Sequence, residues 1–204
     1  KMKICVLNAD SFVGSNFCNY LVQYTKYDVI GVVGYQPSYA HLQAAISSKG
    51  RFSYQFSENS IADKNADARI KFESPDVILV IDQDLPNSLV DDKRTIYVGR
   101  DYNHTDSYRQ FLFSDAFGPR KSKNNLFTKE ILGQVKMENP RSALYIKDLF
   151  DETMAFVDGT SRFASASAQS ITQQDIDIEI PLTKVQVALA HTKKWYEANQ
   201  WFNL

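Results

Sequence analysis

Short, nearly continuous apolar runs alternate along this chain with longer stretches in which apolar residues recur every three or four positions. Ile4-Cys5-Val6-Leu7 is the first run and has the character of a strand covered on both faces. A polar turn then leads into a predicted helix over about residues 14–25, where Phe17, Tyr20, Leu21 and Tyr24 share one face. Residues 29–33 read as a second buried strand. Ser38 is placed to cap a helix carrying Leu42, Ala45 and Ile46, which stops near Gly50. Residues 52–56 alternate and predict a third strand. A weak helix over 61–72 precedes residues 76–81, the clearest central strand of the chain. Two more strands are expected at 95–98 and 111–113.

Strands separated by helical stretches of this length predict βαβ units. With right-handed crossovers they give an α/β fold: a Rossmann-like, doubly wound parallel sheet. The last third adds a helix over 126–135, a strand at 143–146 and a helix over 149–157. A loop at 158–162 and a small-residue stretch at 163–170 follow. A final helix starts near Pro181 and carries Val185, Leu189, Thr192 and Tyr196. No internal repeat or linker interrupts the pattern. The expectation is one domain over residues 1–204, with a nucleotide-binding-type core over 1–115 and a reduced substrate-type region over 116–204.

Composition narrows the function classes more than it alters the fold. At 204 residues, 44% hydrophobic and 23% charged, the chain falls in the globular range. A net charge of −1 gives no electrostatic pull toward nucleic acid or an anionic membrane. The patch formed by Arg120, Lys121 and Lys123 is too small to reverse that. No apolar run is long enough to span a bilayer, and no signal-peptide pattern opens the sequence, so a cytoplasmic location is expected. Cys5 and Cys18 fall within a predicted strand and helix and read as buried thiols. His41, His104 and His191 have no metal-ligand spacing, so no metal is expected. Asp101, His104 and Asp106 form the one dense polar cluster, read as a solvated loop.

Dinucleotide chemistry would reside in the first strand-turn-helix. A phosphate turn needs glycines to turn tightly, approach the pyrophosphate and pack the helix on the strand. Here it reads Val6-Leu7-Asn8-Ala9-Asp10-Ser11-Phe12-Val13-Gly14-Ser15-Asn16. This segment resembles the G-x-x-G-[FY]-[IV]-G-S of the NAD-dependent epimerase/dehydratase family, extended short-chain dehydrogenases that include the sugar-nucleotide 4,6-dehydratases. Phe12, Val13, Gly14 and Ser15 match, whereas Asn8 and Ser11 replace two glycines. Asn8 tolerates a left-handed backbone and keeps the turn. Ser11 puts a side chain where backbone should meet phosphate, and Asp10 adds a negative charge suited to capping the helix. The second strand leads into Gly34-Tyr35-Gln36, without the acid that would hold ribose hydroxyls. The cofactor positions implied by the resemblance are therefore Asn8, Ser11, Phe12, Val13 and Gly14. No resident cofactor is expected, with NAD(P) as the alternative.

The resemblance also implies a Tyr four residues before a Lys on one helical face, the Lys lowering the Tyr pKa for proton exchange with a sugar hydroxyl. No Tyr in this sequence has a Lys four positions on. Phe113-Ser114-Asp115-Ala116-Phe117-Gly118-Pro119-Arg120 is similar to the family's R-x-x-N-x-Y-G-P. It follows so soon after Ile81 that the helix for the Tyr and Lys is reduced to residues 101–110. No catalytic residue is assigned.

The C-terminal part keeps more of the pattern. Asn124-Asn125-Leu126-Phe127 resembles E-K-L-I-P. Arg141-Ser142-Ala143-Leu144-Tyr145-Ile146-Lys147-Asp148 resembles R-D-W-L-Y-V-E-D. Thr192-Lys193-Lys194-Trp195-Tyr196-Glu197-Ala198-Asn199-Gln200-Trp201 is similar to the T-V-x-W-Y-L-x-N-x-x-W that ends the dehydratases. By resemblance Arg141 is the residue that would contact a nucleotide-sugar diphosphate, with Asn125 and Arg120 beside it. The Asn of the family motif is Asp115 here. The resulting expectation is a catalytically inactive relative, kept as a binding or interaction module with a protein partner or a second copy of itself. Its rivals are an epimerase, dehydratase or reductase with an altered or partner-completed site, and a nucleotide-sugar sensor without turnover.

Overall fold

The computed structural model describes residues 1–33, 52–56, 70, 73–82, 89, 91–99, 109–112, 115–136, 143–159 and 183–202. Six strands build the main sheet: β1 (Lys3–Leu7), β2 (Asp28–Val33), β3 (Phe52–Phe56), β4 (Val77–Ile81), β5 (Thr95–Gly99) and β6 (Arg109–Leu112). They lie in the order β3-β2-β1-β4-β5-β6, every pair parallel. This is the Rossmann-type arrangement expected from the alternation of apolar runs. The order reverses between β1 and β4, which puts a crevice at their C-terminal ends.

Alternate residues of the central strands serve two separate cores, the consequence of a two-residue side-chain period. Ile4, Val6, Val29, Leu79, Ile81, Ile96 and Val98 face one side and meet Val13, Phe17, Tyr20 and Leu21 of α1 (Phe12–Tyr24). Cys5, Leu7, Ile30, Val32, Ile78, Val80 and Tyr97 face the other side with Ile70 and Leu89. Both cysteines are buried, Cys5 in the sheet and Cys18 on α1.

The first of these cores continues into the C-terminal part of the chain. A two-stranded parallel sheet joins β7 (Ala116–Phe117) to β8 (Leu144–Tyr145). Among the described residues three helices accompany it: α2 (Leu126–Ile131), α3 (Ile146–Val157) and α4 (Val185–Ala198). Phe150 of α3 meets Phe17 edge-on at 5.4 Å between ring centroids and packs tilted on Tyr20 at 5.2 Å.

Several boundaries differ from the sequence expectation. α1 begins at Phe12, two residues earlier, because Ser11 caps it. The strand expected at 143–146 is only Leu144–Tyr145, and Ile146 already opens α3. β7 was not anticipated, since two residues cannot carry a periodicity. The predicted helix over 126–135 ends at Ile131, with Gly133 in the left-handed region at φ 71° two residues on. The helix expected at 38–50 and nearly all of that at 61–72 lie outside the described residues, as does the stretch 163–170. Among the described residues no helix is long and apolar enough to cross a membrane.

Candidate functional site

Directly after β1, Asn8 adopts a left-handed backbone with φ 62°, the conformation a glycine would otherwise supply. Its side-chain amide donates to the Ile81 carbonyl at the end of β4, 3.0 Å away. One side chain thus spans the C-terminal ends of the strands between which the sheet order reverses. The Ser11 hydroxyl donates to the Asn8 carbonyl at 2.8 Å and accepts the Gly14 amide at 3.0 Å. Ser11 has extended backbone angles and is the N-cap of α1. This corrects the expectation that Asp10 fills that role. The Ser11 Oγ reaches the third amide of the helix, and Asp10 is instead a buried carboxylate in the turn. Gly14 packs so tightly that a Cβ there would lie 2.0 Å from the Asn8 carbonyl oxygen. The helix-against-turn contact for which a glycine is needed is therefore intact. Val13 is buried, while Phe12 is half-buried with the Lys121 ammonium 5.5 Å above its ring.

The second cluster joins the turn's helix to the C-terminal region. Arg120 follows Gly118-Pro119 in a left-handed conformation, φ 68°, and is 7% exposed. Its Nη1 donates to the Asn16 Oδ1 at 2.9 Å. Asn16, fully buried on α1, donates in turn to the Pro119 carbonyl at 2.8 Å and the Phe12 carbonyl at 2.9 Å. The guanidinium carbon lies 5.4 Å from the Trp195 ring of α4, a cation–π geometry. Burial lowers the Arg120 pKa from its ordinary value, with nearby Tyr20, Cys18 and Tyr196 opposing the shift. The Tyr196 hydroxyl donates to the Lys121 carbonyl, and burial raises its pKa. Trp195, Tyr196 and Phe202 stack edge-to-face around it, so the tail aromatics act as packing anchors.

Asn125, expected beside a ligand, is the N-cap of α2. Its Oδ1 accepts the Phe127 amide at 3.0 Å and the Thr128 amide at 3.4 Å. Asp115, which stands where the resembled motif has Asn, pairs with Lys121 at 2.7 Å and accepts the Ala116 amide at 2.8 Å. Arg141, the cluster Asp101, His104 and Asp106, and the segment 34–36 lie outside the described residues. His191 is exposed on α4, and among the described residues no three His, Cys, Asp or Glu side chains group as a metal site. Asn16 is the residue sequence reading did not single out. Its signal was there: an asparagine within the apolar series Val13, Phe17 and Tyr20 needs buried partners.

No family model matches the chain, and no curated protein matches it in sequence. Solved structures do match in fold. A dTDP-glucose 4,6-dehydratase from Bacillus anthracis in complex with NAD superposes with a TM-score of 0.67 at 14% identity, covering 100% of this chain and 99% of the dehydratase. A UDP-glucuronic acid 4-epimerase from Bacillus cereus, in complex with UDP-glucuronic acid and NAD, gives 0.60 at 13% identity, covering 97% and 99%. The Bordetella bronchiseptica enzyme WbmF in complex with NADH gives 0.61 at 14%, covering 98% and 93%. At this identity the likeness establishes the Rossmann-like α/β fold.

Proposed function

We propose that this chain is a catalytically silent relative of nucleotide-sugar epimerases and dehydratases, kept as a binding or interaction module, with a protein partner or a second copy of itself. A fold hosts many activities, so the reading rests on what the site residues do. The observation that carries it is Arg120. A basic residue expected beside a nucleotide-sugar diphosphate is buried instead, bonded to Asn16 and lying over Trp195. Such a cation serves the chain's own packing and presents no fork of donors to a ligand. Asn125 is likewise engaged as a helix cap. The sequence supports the reading independently, since no Tyr precedes a Lys by four residues to supply the proton relay.

The neighbours in fold raise the question of NAD. The turn keeps the required shape, with its left-handed residue and close helix packing. Its bonding capacity is used differently: the Ser11 hydroxyl holds the Gly14 amide, and the Asn8 amide ties β1 to β4. These residues do not fit a pyrophosphate, and no chemical step is assigned to a dinucleotide here. The test is turnover. The protein is incubated with NAD⁺ and either dTDP-glucose or UDP-glucuronic acid, and the sugar is followed by proton NMR. Unchanged sugar is expected; a product altered at C4 would overturn the assignment.

A further inference from the structure

We propose that Asn8 and Ser11 are a built-in plug: their side chains occupy the phosphate turn from within and determine that it does not take a dinucleotide. This rests on the reading above and names the residues responsible for one part of it. An anion at a helix start is held by backbone amides that lack partners inside the helix. Here the third of them, on Gly14, is already bonded to the Ser11 Oγ at 3.0 Å. That hydroxyl is also committed as a donor, to the Asn8 carbonyl at 2.8 Å, so it cannot swing out without breaking both bonds. The Asn8 side chain closes the other approach. Its amide reaches from the end of β1 to the Ile81 carbonyl at 3.0 Å, across the crevice where a parallel sheet of this order admits a ligand.

The plug consists of side chains only, which distinguishes it from a collapsed or misfolded turn. Asn8 holds φ 62°, a backbone that glycine adopts without strain, and Gly14 keeps its close approach to the Asn8 carbonyl. Replacing Asn8 and Ser11 by glycine would remove both side-chain obstructions and leave the backbone path unchanged. Among the described residues, the Phe12 and Val13 amides have no intramolecular acceptor, and the Gly14 amide would join them. The opened turn would then offer successive donors to a diphosphate.

The experiment compares wild type, Ser11→Gly and Asn8→Gly/Ser11→Gly by calorimetric titration with NADH and with inorganic pyrophosphate. Circular dichroism verifies folding of each variant. The double variant is expected to bind both probes at least tenfold more tightly than wild type, with Ser11→Gly intermediate. If the double variant does not fold, the single variant gives the same reading at smaller gain. A folded variant with no gain would overturn the plug while leaving the proposed function standing. Tight NADH binding by wild type would overturn the plug, whereas the proposed function falls only if the sugar is turned over.

Discussion

Asn16→Ala would remove three hydrogen bonds from the interior at one stroke. The buried Pro119 carbonyl loses its 2.8 Å donor, and the Arg120 guanidinium loses its 2.9 Å acceptor. The third bond, to the Phe12 carbonyl, matters least, because that carbonyl also lies in the first turn of α1. Leaving a buried neutral acceptor unpaired costs about 1–3 kcal/mol, and a hydrogen bond to a charged group contributes about 1.5–3 kcal/mol. Together these give a loss of about 3–5 kcal/mol, a large share of the roughly 5–15 kcal/mol by which domains are stable. Urea unfolding followed by circular dichroism measures it. A cycle with Arg120→Met then isolates the pair: a coupling of about 1 kcal/mol or more is expected for residues in direct contact. Arg120→Met alone should cost less than Asn16→Ala, because it also removes the burden of burying a cation. If Asn16→Ala cost under about 1 kcal/mol, or the coupling were zero, Arg120 would not be an internal tie and would have to be reconsidered as a ligand contact.

Three further outcomes follow from particular contacts. Gly99→Ala would place a Cβ 2.4 Å from the Tyr97 hydroxyl and 3.0 Å from the Asp82 Cα, so a loss of about 1–3 kcal/mol in urea unfolding is expected. Cys5, whose thiol burial pushes up to about 12, and Cys18, raised further by the same cause, should resist Ellman's reagent at pH 8 in the native protein and react together in denaturant. Labelling of the folded protein at the rate of a free thiol would contradict their burial. Asp92 is held below the usual carboxylate range by hydrogen bonds from Arg94. Its contribution is therefore fully present above the unfolded value of about 4 and is lost as pH falls through the lower folded value. Asp92→Asn should cost up to about 1 kcal/mol at pH 7, and the difference from wild type should vanish in acid. A difference that grows as the pH falls would contradict that sign.

The strands were legible because a strand buried on both faces must be apolar throughout, as in Val77-Ile78-Leu79-Val80-Ile81. Phe52–Phe56 was placed at its observed bounds by alternation alone. β7 and the start of α3 were not legible, since a two-residue strand carries no periodicity and Ile146, which opens the helix, packs so closely on Gly118 that a Cβ there would lie 2.4 Å from its Cγ2. At the turn, sequence identified Asn8 and Ser11 as the anomalous positions but assigned the cap to Asp10. Both are good capping residues, and only the backbone angles at Ser11 decide between them. Arg120 and Asn125 were recognisable as polar residues in a ligand-like segment. Their engagement elsewhere was not, because Arg120 meets a residue 104 positions away, on α1. Arg141, the strongest candidate by resemblance, lies outside the described residues.

The most direct test of a chemically silent Rossmann fold is a calorimetric titration of the wild-type protein with NADH, repeated with NAD⁺ and UDP-glucuronic acid together. No saturable heat is expected in either titration, because the turn is bonded to itself through Ser11 and Asn8 and the buried guanidinium of Arg120 is bonded to Asn16. Saturable, stoichiometric NADH binding by the unaltered chain would contradict that account at its centre.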